Sequence, residues 1–279
     1  MDNLQHQRLE LKYLIREQTA QAVRDFVASY LTLDRYGVGQ PDCSYTIHSL
    51  YLDSDDFTFY WQTINGNKNR YKLRVRYYND SPQSPVFFEI KRRMNNAILK
   101  ERGSVRREAA EGLLAGQLPA GSQLASDDPG QVAALENFCR LMQHHQARPK
   151  AHIAYRREAW TTPHDNSARV TMDRQVRFDY EPRGLFRTEM TRPFAVFPND
   201  VILELKFTGR FPDWFSELVR CFNLWQCSAA KYVDGLTVMM DSVNDFDLMT
   251  GQAPPETQER FESRRETVKK AHASQHALT

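Results

Sequence analysis

The pattern Glu-x-Lys occurs three times in this chain within alternating runs, as Glu10-Leu11-Lys12, Glu89-Ile90-Lys91 and Glu204-Leu205-Lys206. In a β-strand, residues i and i+2 share a face and stand about 7 Å apart. Each copy therefore sets a carboxylate beside an ammonium on one face and leaves apolar residues on the other. A fourth run, Lys72-Leu73-Arg74-Val75-Arg76, places three cations on one face. Lys100 with Arg102, Arg156 with Glu158, and Arg169 with Thr171 and Asp173 extend the pattern. Crowded cations repel one another unless a counter-ion joins them. Phosphate suits that role, because Arg meets its oxygens in bidentate fashion and Lys meets them as a point charge. Carboxylates among such cations are salt-bridge partners or, with phosphate present, ligands for Mg²⁺ or Mn²⁺. One charged, alternating strand is ordinarily a solvated face. Several such strands on separate segments point instead to a shared charged interior. On this alternation Arg92 and Arg157 fall on the opposite, surface face.

The elements that must position these residues read as follows. Alternation predicts strands over Arg8 to Ile15, Tyr45 to Tyr51, Arg70 to Tyr78, Val86 to Arg93, Ile98 to Arg107, His152 to Thr161, Ala168 to Asp179 and Val201 to Thr208. Helical spacing of Ala20, Val23, Phe26, Val27 and Tyr30 predicts a helix within Arg16 to Leu31, and Asp213 to Phe222 reads as an amphipathic one. Asp53-Ser54-Asp55-Asp56 can cap a short helix over Phe57 to Thr63. Residues 109–147 change character, being rich in Ala, Leu and Gln, and read as a helical insertion. Lys231-Tyr232-Val233-Asp234-Gly235 opens the last element. We expect one domain over 1–246 and a charged, flexible tail over 247–279. Antiparallel strands with helices between them argue for an α+β fold. Strands with one polar face suit a closed antiparallel β-barrel tunnel with a charged lumen, packed outside by helices.

Net charge is only +2 over 279 residues, but from Arg70 to Arg107 eleven Lys/Arg stand against three Asp/Glu. That local excess favours an anionic partner. Cys43, Cys139, Cys221 and Cys227 form no C-x-x-C pair, which argues against a zinc site and for free thiols. No stretch approaches ~18 apolar residues, and Met1 to Gln5 shows no leader pattern. The expected location is cytoplasmic, at most peripheral to a membrane through a partner. His144, His145, His152 and His164 form no dyad with a nucleophile and are expected at the surface.

The series Glu10-Leu11-Lys12-Tyr13, Ser49 to Asp53, Tyr71 to Arg76, Phe88 to Lys91, Lys100-Glu101-Arg102, Ala154-Tyr155-Arg156, Arg169 to Asp173, Ile202 to Lys206 and Lys231 to Gly235 resembles the VTC domain. This is the catalytic domain of the vacuolar transporter chaperone polyphosphate polymerases, within the CYTH-like triphosphate tunnel metalloenzymes. The resemblance covers about Arg8 to Asp241. It implies transfer of the γ-phosphate of ATP to a growing polyphosphate chain, with Mn²⁺ or Mg²⁺. It implies a catalytic set of Lys12, Arg74, Arg76, Lys91 and Glu204. Lys72, Lys100, Arg102, Arg156, Arg169, Lys206 and Lys231 would bind phosphate. Glu204 would hold the metal, with Glu10 and Glu89 as further candidates. Two departures stand out. The tunnel signature Glu-x-Glu-x-Lys reads Arg8-Leu9-Glu10-Leu11-Lys12 here. The polymerases also carry a lysine where this chain has Ser228.

A triphosphatase or polyphosphatase on the same fold is an alternative, with water as acceptor. A non-catalytic polyphosphate-binding module is another. Nucleic-acid binding is not expected, because the aromatics mostly alternate away from the charged face. If product is exported, a separate membrane protein is implied as partner.

Overall fold

A computed structural model describes residues 8–95, 97–163, 165, 167–243, 262, 263 and 266. The expected tail over 247–279 and His164 lie almost entirely outside the described residues. In chain order the elements are β1 (Arg8–Ile15), α1 (Glu17–Val27), β2 (Thr32–Leu33), β3 (Ser44–Asp53), α2 (Thr58–Ile64), β4 (Asn69–Tyr77), β5 (Val86–Met94), β6 (Ala97–Val105), α3 (Ala110–Leu114), α4 (Pro129–His144), β7 (Arg148–Thr161), β8 (Ala168–Tyr180), β9 (Phe194–Ala195), β10 (Val201–Thr208), α5 (Asp213–Cys221) and α6 (Lys231–Val243).

The fold is α+β, built on one large antiparallel sheet in the order β2-β7-β3-β4-β5-β6-β1-β10-β8-β9. β7 pairs with β3 on one side and with β8 on the other. β6 and β1 meet at one paired position, Arg8↔Ile98. The sheet is thus long and strongly curved, with its thinnest junction between β6 and β1.

Each strand divides its side chains as the alternation requires. The apolar face of β3 to β6 supplies Leu50, Leu73, Val75, Phe88 and Ile90, which pack against Leu135, Phe138 and Met142 of α4. The apolar face of β1, β10 and β8 supplies Leu203, Leu205, Val170 and Met172, which pack under Val23 and Val27 of α1 and Phe215 and Leu218 of α5. Burial of side chains of this size stabilises by about 1.5–3 kcal/mol each.

A third core joins β3, β7 and β8 to α2 and α6 through Tyr51, Ile153, Phe178, Tyr60, Val233 and Leu236.

Local chemistry explains the helix starts. Asp128 accepts a hydrogen bond from the Gln131 amide at 3.1 Å, and Pro129 opens α4. Asp53 caps α2 by accepting from the Phe59 and Tyr60 amides at 2.8 and 2.9 Å. The same buried carboxylate accepts from the Tyr232 hydroxyl of α6 at 2.9 Å. The capping role expected for this acidic run is thereby joined to a tertiary one, since it fixes α6 to α2.

Gly235 lets α6 lie directly on β8. A Cβ there would stand 2.2 Å from the Phe178 ring. We expect Gly235→Ala to lower unfolding free energy by about 1–3 kcal/mol through overpacking, read as a lower denaturant midpoint at unchanged slope.

Candidate functional site: a buried field of lysines, arginines and carboxylates

The charged faces converge. Arg76 on β4 donates to the Tyr155 hydroxyl on β7 at 3.3 Å, although β3 lies between those strands. Lys91 on β5 reaches Glu10 on β1 at 3.1 Å across β6. Lys231, the first residue of α6, meets Asp173 of β8 at 2.6 Å and Glu204 of β10 at 3.6 Å. Such reach across intervening strands needs a concave face.

Three carboxylate centres organise it. Glu89 is fully buried among Arg74 (2.7 Å), Lys100 (2.7 Å), Arg102 (3.4 Å) and Arg76 (3.8 Å). Burial works against its charge, but Arg76 and Arg74 outweigh that and hold the carboxyl well below the usual range. Glu204 contacts Lys12 at 3.1 Å, Arg157 at 3.4 Å and Lys206, and accepts from the Thr171 hydroxyl at 3.1 Å. Burial opposes its ionisation too, and Lys206, Lys12 and Lys231 again hold it low. Asp173 takes a two-point bond from Arg157, at 2.6 and 2.7 Å, besides its contact with Lys231.

Glu10 belongs with the second centre, because Lys12 bridges it (3.3 Å) to Glu204.

The cations are in excess where strands pair. Lys72 stands directly opposite Lys91, and Lys91 directly opposite Lys100. Like charges in register destabilise a sheet. Burial pulls Lys100 down to about 7 despite Glu89 beside it, and Lys206 down to about 7 despite Glu204. Nearby, Arg76 Nε and Ser49 Oγ are buried without a hydrogen-bond partner among the described residues. Ser49 pairs with Arg76 across β3 and β4, so both atoms belong to the same patch. Unused buried donors of this kind are costly unless a ligand takes them.

The structure reverses the expected alternation on β7. Arg157, expected at the surface, lies on the charged face with Tyr155. Arg156 points away from it and pairs at 2.5 Å with Asp42, both side chains being about two-fifths exposed at 41% and 40%. Glu158, expected beside the lumen cations, is fully buried on the other side. There it takes Arg24 of α1 at 2.7 and 2.8 Å and Arg174 at 2.9 Å. Arg156, Arg157 and Glu158 offer charge to both faces, so alternation alone could not choose between them. Arg169 lies on the charged face but is engaged by Asp34 at 2.6 Å. His152, expected at the surface, is buried, its Nε2 2.9 Å from His48 Nδ1 and 3.1 Å from the Tyr77 hydroxyl. Burial pulls the two imidazoles down to about 4 (His48) and 3 (His152), so both are neutral.

No group of three or more His, Cys, Asp or Glu side chains that could hold a metal ion occurs among the described residues. A protein-only cage is therefore not the fit. Mg²⁺ ordinarily uses one or two carboxylates and completes its shell with phosphate and water. Glu204 and Glu10, joined through Lys12, match that donor set. Each of Glu204 and Glu89 has four cations about it, but Glu204 is held by three lysines and one arginine, whereas Glu89 is held by three arginines and one lysine.

Beside Glu10 and Lys12 a cavity of about 440 Å³ opens, lined also by Lys72, Lys91, Arg70 and Arg93. Arg70 and Arg93 also line an adjoining cavity of about 490 Å³ that carries Lys68. Sequence reading noted neither Arg70 nor Lys68 as site residues.

The VTC domain profile matches residues 7–240. This chain belongs to the VTC domain family. A relative, vacuolar transporter chaperone complex subunit 2 of Schizosaccharomyces pombe, is 25% identical over 228 residues. That match takes in 69% of this chain and 31% of the relative, so the chain spans less than a third of its length. Solved structures are similar at lower identity. A Bacillus halodurans protein described as an adenylate cyclase has 14% identity and a TM-score of 0.45, covering 81% of this chain and 94% of that one. A Hippeastrum protein described as an adenylyl cyclase with dominant triphosphatase activity has 11% identity and a TM-score of 0.48, covering 83% and 96%.

Arg156 and Arg157 of β7 make a direct test. Arg157→Ala removes the two-point partner of buried Asp173, leaving it Lys231 alone, and should cost up to about 3–5 kcal/mol. Arg156→Ala removes an exposed pair and should cost under about 1 kcal/mol. Equal losses in chemical denaturation would contradict the placement.

Proposed function

We propose that this chain is a polyphosphate polymerase that transfers the γ-phosphate of ATP to a growing inorganic polyphosphate chain in a basic tunnel. The observation that carries this is the row Lys72–Lys91–Lys100 set in register on three adjacent strands. Such a row is unfavourable by itself and becomes favourable around a polyanion. The β7–β8 pairing, which joins the two ends of the main run of strands, supports a closed tunnel. The two adjoining cavities that share Arg70 and Arg93 support an anion longer than a triphosphate. The family and the subunit name of the fungal relative support polyphosphate as the substrate class.

In this reading Arg74, Arg76 and Lys12 neutralise the donor phosphates. Lys91, Lys72 and Lys100 hold the chain. Arg157 takes the place expected for Arg156. Mg²⁺ or Mn²⁺ held by Glu204 and Glu10 would neutralise charge on the phosphoryl oxygens. The chain's terminal phosphate is itself the nucleophile, so positioning and charge stabilisation suffice and no side-chain nucleophile is needed. No helix among the described residues is long and apolar enough to cross a membrane. Export of product would use a separate membrane protein, with this domain at the cytoplasmic face.

Incubation with ATP and Mn²⁺, followed by ADP release and phosphorus NMR, tests the reading. We expect a mid-chain polyphosphate signal that Glu204→Gln abolishes. ADP with free phosphate alone would assign a triphosphatase instead.

A second expectation concerns protons. Burial lowers Lys100 and Lys206 to about 7, and Lys206, whose side chain is 13% exposed against 42% for Lys100, is the main group to lose its charge as pH rises through that value. A bound polyanion favours the charged form. Tripolyphosphate should therefore bind with proton uptake above neutrality and weaken as pH rises through 7. Calorimetry in buffers of different ionisation heat reads this directly. Binding with no proton exchange at alkaline pH would speak against these lysines as contacts.

A further inference from the structure

One cluster on the charged side plays no part in the reading above. Tyr36, Tyr45, Tyr78 and Phe87 come together from the loop after β2, from β3, from the end of β4 and from β5. The Tyr36 and Tyr78 rings are nearly parallel, 13° apart in plane, with centroids 6.5 Å from one another. Both are exposed, at 55% and 36%. Tyr45 closes one side, tilted to each and 5.5 Å from Tyr36 and 6.5 Å from Tyr78. Stacked carbon atoms touch at about 3.5–4 Å. A ring between two others needs two such contacts, about 7–8 Å, so Tyr36 and Tyr78, whose centroids are 6.5 Å apart, must part by about 1 Å to admit one, which two exposed side chains can do.

The cluster is held in place. The Tyr36 amide donates to Asp34 Oδ1 at 3.0 Å, while Arg169 holds Asp34 Oδ2 at 2.6 Å. This gives Arg169 a positioning role. The Arg102 guanidinium lies 3.7 Å over the Phe87 ring. Phe87 pairs with Arg76 across β4 and β5, and Tyr45 pairs with Arg157 across β3 and β7. The aromatic cluster therefore borders the phosphate-binding cations within a strand step or two, about 7 Å per two residues. That distance is of the order that a ribose spans.

We infer that Tyr36, Tyr45 and Tyr78 form a cleft for the nucleobase of a nucleoside triphosphate, whose phosphates run inward to Arg76 and Arg74. The inference rests on the proposed function and adds that the donor is recognised as a nucleotide, not only as a triphosphate. Base–aromatic stacking tolerates any base, because every base has a π-face.

Calorimetry on the full chain with Mg²⁺ tests it, using β,γ-imido-ATP and inorganic tripolyphosphate as probes. Tyr36→Ala and Tyr78→Ala should each weaken the nucleotide about ten-fold while leaving tripolyphosphate within about two-fold, and Tyr36→Phe should restore nucleotide binding. Unchanged nucleotide affinity in both alanine variants overturns the inference and leaves the proposed function standing. Equal weakening of both probes also overturns it, since the cluster then only supports the fold. Wild-type protein that binds neither probe overturns both readings.

Discussion

The governing constraint is the confinement of like charges on paired, partly enclosed strand faces. A sheet tolerates a row such as Lys72–Lys91–Lys100 only if something offsets the repulsion. Here carboxylates do so in part. Glu89 gathers four cations, Glu204 and Asp173 share Lys231 and Arg157, and Glu10 takes Lys91 and Lys12. The offset is incomplete at the β3–β4 pairing, where Arg76 Nε and Ser49 Oγ keep unused donors. A fold that carries this much buried charge must draw its stability from elsewhere. It does so on the other face, where α1 and α5 on one flank and α4 on another bury aliphatic and aromatic side chains.

The same constraint explains why α6 matters to the site and not only to the core. Its apolar residues pack with Tyr51, Ile153 and Phe178, and Asp53 ties Tyr232 to the cap of α2. Its first residue, Lys231, is thereby delivered to Asp173 and Glu204. Tyr155 lies under both Lys231 and Arg157, with the ring centroid 4.7 and 5.2 Å from the two charges. An aromatic face is a favourable floor for cations already partly neutralised. Rigid packing and charge placement are here a single problem.

Much of this was legible in the sequence. Strict alternation over Lys72 to Arg76 and over Val201 to Thr208 assigned the two faces of each strand, because a one-residue slip would turn the charged half toward the apolar core. β2 and β9, of two residues each, left no periodic trace. On β7 the run Arg156-Arg157-Glu158 carries charge in both phases. The donors gathered on the helix side, Arg24 of α1 with Arg174 and Trp160, are what hold Glu158 on that face. The aromatic cleft was illegible for a different reason. Its members sit at strand ends and in a loop, where alternation says nothing, and only the curvature of the sheet brings Tyr36, Tyr45 and Tyr78 together.

The carboxylates differ in what they can give up, and this orders their roles under the proposed function. Asp173 spends both oxygens on Arg157, whose planar fork fits them, and Glu158 does the same with Arg24. Such two-point bonds are strong and directional. Glu204 and Glu10 are held mainly by lysines, which are point charges on flexible stems. A polyanion entering this face offers those lysines a better partner. Lys12 and Lys206 can turn to phosphate oxygens, and the carboxylate oxygens they release are then free for a divalent ion that binds the same phosphates. Arginine-locked carboxylates hold the scaffold, and lysine-held carboxylates are the ones that can exchange partners.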